Sequence, residues 1–202
     1  RWRDRYRKDC GIVVPQFFCV SDIEKEQIMS DFRIKTYVLG GVSTNCYLVF
    51  REGEKTAVII DPADNADYLK NKCREFGVKP EAVLLTHAHF DHMLAADDIR
   101  KAYGCKVYVH MDDERMLNDP FLNLSGTMGT EQTGISADHL LRDGDVLHFL
   151  NREWKVMATP GHTAGSVCYY LPEEKVLFSG DTLFAESLGR TDLPTGGMSA
   201  IV

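Results

Sequence analysis

The segment Thr86-His87-Ala88-His89-Phe90-Asp91-His92 constrains this chain more than any other. It follows the apolar run Ala82-Val83-Leu84-Leu85, whose length and composition suit a buried strand. Three imidazoles and a carboxylate beside a core strand are costly to bury unless something satisfies them. Imidazole nitrogen and carboxylate oxygen are the donors that zinc or iron selects. His87 and His89 are two apart, so on extended chain they point the same way and can grip one ion. Asp91 and His92 are adjacent and diverge, so one or both can reach a second ion. The segment reads as a metal site at a strand end.

Two more strand ends carry ligand-type residues. Residues 154–159 read as a strand that Pro160-Gly161 stops, leaving His162 at its carboxyl end. Lys175-Val176-Leu177-Phe178-Ser179 is a short apolar strand followed by Gly180-Asp181-Thr182-Leu183. Alone, His162 is an ordinary loop residue and Asp181 an ordinary turn former. With the first cluster present, both read as ligands, and the two oxygens of Asp181 suit a bridge between cations.

The order His-x-His-x-Asp-His, Pro-Gly-His-Thr, Ser-Gly-Asp-Thr-Leu-Phe resembles the metallo-β-lactamase-fold hydrolase superfamily. Gly189-Arg190-Thr191-Asp192-Leu193-Pro194 is similar to its glyoxalase II-like (hydroxyacylglutathione hydrolase-like) branch. The resemblance runs from about Ile34 to the end of the chain. It implies an α/β chain (α+β by some schemes) folded as a four-layer αββα sandwich. It implies His87, His89 and His162 on a first metal, Asp91 and His92 on a second, and Asp181 bridging them. A common lactamase type has cysteine where Asp181 stands, and the thioesterases of the family have aspartate, which argues against a β-lactam substrate. The family adds a last histidine after a further strand, and no histidine follows His162 here. The domain is therefore expected to be C-terminally incomplete, with that ligand beyond Val202. His110, His139 and His148 are expected to be strand-face or surface histidines.

The cofactor implied is two divalent ions, zinc first, with iron or manganese as alternatives. A bound ion lowers the pKa of water from ~15.7 to about 7, giving a metal-bridging hydroxide aimed at an electrophilic carbonyl. Asp91 is the catalytic candidate that orients this hydroxide or takes its proton, a role typically worth ~10²–10⁴ in rate. A thiolate leaving group, with a free thiol pKa of roughly 8.5, needs little proton donation. Thioester hydrolysis of a small molecule is thus the expected reaction. Arg190 is the substrate-binding candidate, able to receive a carboxylate bidentately, unless Asp192 pairs with it to brace the loop. Alternatives within the superfamily are a mononuclear-iron persulfide dioxygenase using two His and one Asp, a lactonase, and a phosphodiesterase.

A net charge of −7 gives no electrostatic support for nucleic-acid binding. The 202 residues, 44% hydrophobic, fill one core, and no apolar run reaches membrane-spanning length. Six scattered cysteines without a Cys-x-x-Cys pair suggest reduced thiols and a cytoplasmic setting, with Cys46 and Cys168 as small core residues. Residue 1 is Arg, and Met29 opens a natural entry to a first strand. Residues 1–28 are therefore expected to be an upstream tail and 29–202 the domain.

Alternation and turn residues predict strands at 33–39, 45–51, 56–60, 81–86 and 106–109, with short strands between 138 and 179. Helices are expected over 64–76, which Gly77 stops, and from Asp91 to about Tyr103, with Leu94, Ile99 and Tyr103 on its buried side. Asp61-Pro62 ends the third strand; the resemblance implies that this Asp lies near the metal pocket. Residues 118–136 read as a loop.

Overall fold

The computed structural model describes residues 12–13, 31–129 and 135–198, so a start at Met29 falls outside the described residues. Strands β1 (Ile12–Val13), β2 (Phe32–Leu39), β3 (Thr44–Arg51), β4 (Thr56–Ile60), β5 (Lys79–Leu84), β6 (Lys106–His110) and β7 (His139–Leu141) come first. They are followed by β8 (Val146–Phe149), β9 (Arg152–Ala158), β10 (Val167–Leu171), β11 (Val176–Phe178), β12 (Leu183–Phe184) and β13 (Ser187–Leu188). The helices are α1 (Ala66–Phe76), α2 (Phe90–Met93) and α3 (Ala96–Tyr103). One sheet has the order β2-β3-β4-β5-β6-β7, the other β1-β11-β10-β9-β8, and β12 and β13 form a small hairpin.

The alternation of β3 shows how sequence builds the layers. Cys46, Leu48 and Phe50 face α1 and α3, whereas Tyr47 and Val49 face the second sheet. β4 and β5 repeat the pattern, with Ile59 and Val83 outward to the helices and Ile60 and Leu84 inward. The inter-sheet core closes on Trp154, whose ring stacks on Phe178 at 5.9 Å and 8°. Among the described residues the helices pack on the six-stranded sheet, supplying three layers of an αββα sandwich. No helix among them is long and apolar enough to cross a membrane.

Strand direction places the functional edge. β4, β5 and β6 are mutually parallel, so their carboxyl ends share one edge of the first sheet. β9 and β11 flank β10, each antiparallel to it, and hence run in the same direction. The two sheets are joined at this edge by Val167 N–H donating to Thr86 O (2.8 Å) and Tyr169 OH donating to Leu85 O (2.7 Å). Ligands gather at such carboxyl ends in open α/β sheets because the chain turns there and exposes its polar groups.

One expectation needs correction. The helix expected from Asp91 to Tyr103 is two helices, because Ala95 N–H donates to Pro62 O (2.9 Å) and its φ of −94° and ψ of 0° interrupt the turn pattern. Met93, not Leu94, therefore takes the buried position beside Ile99. The loop expected at 118–136 holds one 3₁₀ turn, Gly126–Met128, with 130–134 outside the described residues.

Candidate metal centre

Each predicted donor sits just past one of these strand ends. Chain leaving β5 supplies His87, His89, Asp91 and His92; chain leaving β9 supplies His162; chain leaving β11 supplies Asp181. Two donor groups result, His87–His89–His162 and His87–His92–Asp181, with ligand atoms inside each within 4.8 Å of one another. His89 Nδ1 lies 3.0 Å from His162 Nε2. Asp181 presents Oδ2 at 3.6 Å from His162 Nε2 and Oδ1 at 3.4 Å from His92 Nε2, one oxygen toward each group. Asp91 Oδ2 is 3.6 Å from His92 Nε2 and accepts from Thr44 Oγ1 at 2.5 Å. The four histidines are buried.

Hydrogen bonding fixes which ring nitrogens are bare. His162 Nδ1 lies 2.8 Å from the backbone carbonyl of Arg190, which can only accept, so Nδ1 carries the proton and Nε2 offers a lone pair. Thr86 Oγ1 donates to Asp61 Oδ2 (2.7 Å) and lies 3.1 Å from His87 Nδ1. Having given away its proton, that hydroxyl accepts from His87 Nδ1–H, which leaves His87 Nε2 bare. His87 Nε2 and His89 Nε2 are buried without a hydrogen-bond partner. Orphaned buried nitrogens of this kind are rare, and a cation at the bare His87 Nε2 satisfies that one. The donor chemistry and this orphan fit divalent metal.

Electrostatics agree for His87 and His89. Burial, reinforced by the neighbouring imidazoles, pushes His87 well below the ordinary histidine value and His89 down to about 3. Both rings are therefore neutral, as ligands must be. Burial also disfavours a charged His92, but the Asp61 and Asp181 carboxylates outweigh it and raise that ring well above its usual value. Asp61 Oδ2 lies 3.0 Å from His92 Nδ1, although off hydrogen-bond geometry. Burial raises Asp181, yet the charge and hydrogen bond of His92, together with His162 and His89, more than offset this and hold its carboxyl below the usual range.

Arg190 is placed differently from the other candidates. Its guanidinium is exposed and bidentate to Asp192 (2.7 and 2.8 Å), so the loop-bracing alternative is the arrangement seen. His110, His139 and His148 stay out of the donor groups. His110 is buried and accepts from Asp112 N–H at 3.3 Å; His139 stacks on Tyr108 at 4.6 Å; His148 lines a surface depression with Glu54, Glu81 and Arg152 near the start of β4 and β5.

Asp61, which the resemblance implied near the metal pocket, is fully buried there, and its Oδ1 receives Thr86 N–H at 2.8 Å. Two residues around the donors escape a motif search. Thr44 secures Asp91. Asp113, also fully buried, accepts from Ala88 N–H, Gly165 N–H and Thr163 Oγ1 at 3.0, 2.7 and 2.8 Å. Glycine is needed at 180, where φ is +49° and a Cβ would collide with the Thr86 side chain.

Sheets flanked by helices, with clustered donors at one strand edge, define a metallohydrolase, and the family can be stated outright. The metallo-β-lactamase superfamily profile matches residues 39–201, and the chain belongs to that superfamily. Among curated relatives, the probable metallo-hydrolase YqgX of Bacillus subtilis is 36% identical over 165 residues, 81% of this chain and 77% of the relative. Hydroxyacylglutathione hydrolase GloC of Haemophilus influenzae is 30% identical over 164 residues, 78% of this chain and 75% of the relative. Among solved structures, BLEG-1 B3 metallo-β-lactamase superimposes with a TM-score of 0.79 at 42% identity, covering 84% of this chain and 81% of that one. TTHA1623 in a di-iron-bound form gives a TM-score of 0.72 at 33% identity, covering 83% and 81%.

Proposed function

We propose that this protein is a metal-dependent thioesterase of the hydroxyacylglutathione hydrolase type. The observation that carries it is Asp181, whose two oxygens face His162 and His92 and so suit two ions sharing one carboxylate. His87, His89 and His162 would hold the first ion; His92 and Asp181 would hold the second, joined by Asp91, which lies outside both donor groups but 3.6 Å from His92 Nε2. Zinc is the first choice, and the di-iron form of a 33% identical structure supports iron as the alternative. Bound there, divalent ions supply water acidified to a pKa of about 7 and Lewis-acid stabilisation of the oxyanion.

The chain's own residues do the rest. Thr44 ties up Asp91 Oδ2 and thereby fixes the orientation of that carboxylate as the base that orients or deprotonates the attacking water. Burial of the four imidazoles keeps bulk water from competing for the donors. A thiolate leaving group departs unprotonated and so needs no general acid beside the donors. The similarity to GloC supports a hydroxyacylglutathione substrate, with Arg190 as the candidate contact for its carboxylates.

A β-lactam substrate is the second reading, favoured by the 42% identity to BLEG-1. Turnover of S-lactoylglutathione, a simple lactone, a phosphodiester and a cephalosporin separates them. Thioester turnover should exceed the others, and His89→Ala should lower it more than about a hundredfold, since outer-shell partners alone account for 10–100-fold. Cephalosporin turnover without thioester turnover would transfer the assignment to the lactamases.

A further inference from the structure

We propose that Asp113 is a positioning residue for the metal centre, a carboxylate clamp that holds the His87–His89 loop and the His162 loop at ligand distance. The inference rests on the metal-site reading above and adds a residue that is not itself a ligand. Asp113 Oδ2 accepts from Ala88 N–H at 3.0 Å, and Ala88 lies between two candidate ligands. The same oxygen accepts from Thr163 Oγ1 at 2.8 Å, and Thr163 follows His162 directly. Oδ1 accepts from Gly165 N–H at 2.7 Å. Loops that leave different sheets are thus pinned to one side chain.

The post is rigid. Asp113 lies on the 3₁₀ helix Met111–Asn118, whose Met116 and Leu117 are buried in the core between the first sheet and its helices. Asn118 Nδ2 ties that helix to Ile135 O at 2.7 Å. The fit leaves no slack on the other side, since a Cβ on Gly165 would stand 2.7 Å from the Asp113 carboxyl carbon. Thr163 is held twice more, its N–H donating to Ser166 Oγ at 3.0 Å and its hydroxyl 2.8 Å from the same atom. Burial raises the Asp113 carboxyl, and the bonds from Thr163, Ala88 and Gly165 work against that rise by favouring the ionised form. An ionised carboxylate accepts every bond it is offered here; an amide cannot, because its nitrogen would meet a donor. In Asp113→Asn, the carbonyl can keep Ala88 and Thr163 only by turning an NH₂ against Gly165 N–H.

The test is metal affinity of the folded chain, measured by competition with a chromophoric chelator, together with the visible spectrum of the cobalt(II)-loaded protein. Affinity should fall on the order of 10–100-fold in Asp113→Ala. Asp113→Asn and Thr163→Val should fall between that variant and wild type, and the cobalt bands should shift with the donor geometry. Should Asp113→Ala fail to fold, the two milder variants carry the test. Wild-type affinity and an unshifted cobalt spectrum in Asp113→Asn, with only the melting temperature lowered, would make Asp113 a structural strut and overturn the proposal. These readouts do not use turnover, so a wild type that binds metal but hydrolyses no thioester would overturn the thioesterase reading and leave this one standing.

Discussion

Arg190 meets the metal centre through two different groups. Its carbonyl oxygen receives His162 Nδ1 at 2.8 Å and so sets the tautomer of a candidate ligand. Its guanidinium is bidentate to Asp192, both side chains being well exposed. The guanidinium hydrogen bonds hold the Asp192 carboxyl down to about 2. A depressed carboxylate keeps its pairing above the ordinary range and loses it only as pH falls through that value, so the pair is intact wherever hydrolysis is assayed. Asp192→Asn should free the guanidinium for an anionic thioester and lower KM only modestly, because an exposed, solvent-screened ion pair holds the side chain weakly. Steady-state kinetics on S-lactoylglutathione decide it; an unchanged KM would leave Arg190 a brace. The donors themselves were legible because each group follows an apolar strand run, and His162 and Asp181 also follow a turn residue. Asp113 was not, since it sits in Met111-Asp112-Asp113-Glu114-Arg115, which looks like a solvated acidic run. Its partners are 25, 50 and 52 positions away, beyond any local pattern. Thr44 was hidden for the same reason, 47 positions from Asp91.

At the scale of elements, strand positions were readable from alternation, and β3 fell within one residue of its expected bounds. The helix break was not, because the sequence around Leu94 and Ala95 contains neither Pro nor Gly. What breaks it is a carbonyl from the turn after β4, a tertiary partner. That break lets the chain deliver Asp91 and His92 on one short helix while α3 packs independently on β5 and β6. The turn after β11 has the tightest fit: Gly180 combines a left-handed φ with contact to Thr86, whose hydroxyl links Asp61 to His87. Gly180→Ala should therefore displace both Asp181 and Thr86. A loss of about 1–3 kcal/mol is expected from backbone strain and overpacking. Urea unfolding should show that loss and elemental analysis a lower metal content; a variant matching wild type in both would mean that this turn does not set the site.

For the whole molecule, the sandwich explains why residues spread from His87 to Asp181 meet. Parallel β4, β5 and β6 in one sheet, and β9 with β11 in the other, turn their carboxyl ends to a common edge, and Val167 and Tyr169 lock the sheets there. The bare, buried nitrogen on His87 is costly without a cation beside it, so metal and fold should stabilise each other. The most direct measurement is metal per chain in the purified protein, followed through chelation and reloading, with thioester turnover read at each stage. At least one divalent ion should be present, turnover should vanish as it is removed, and zinc or iron should restore it. Full turnover in protein stripped of metal would contradict the account.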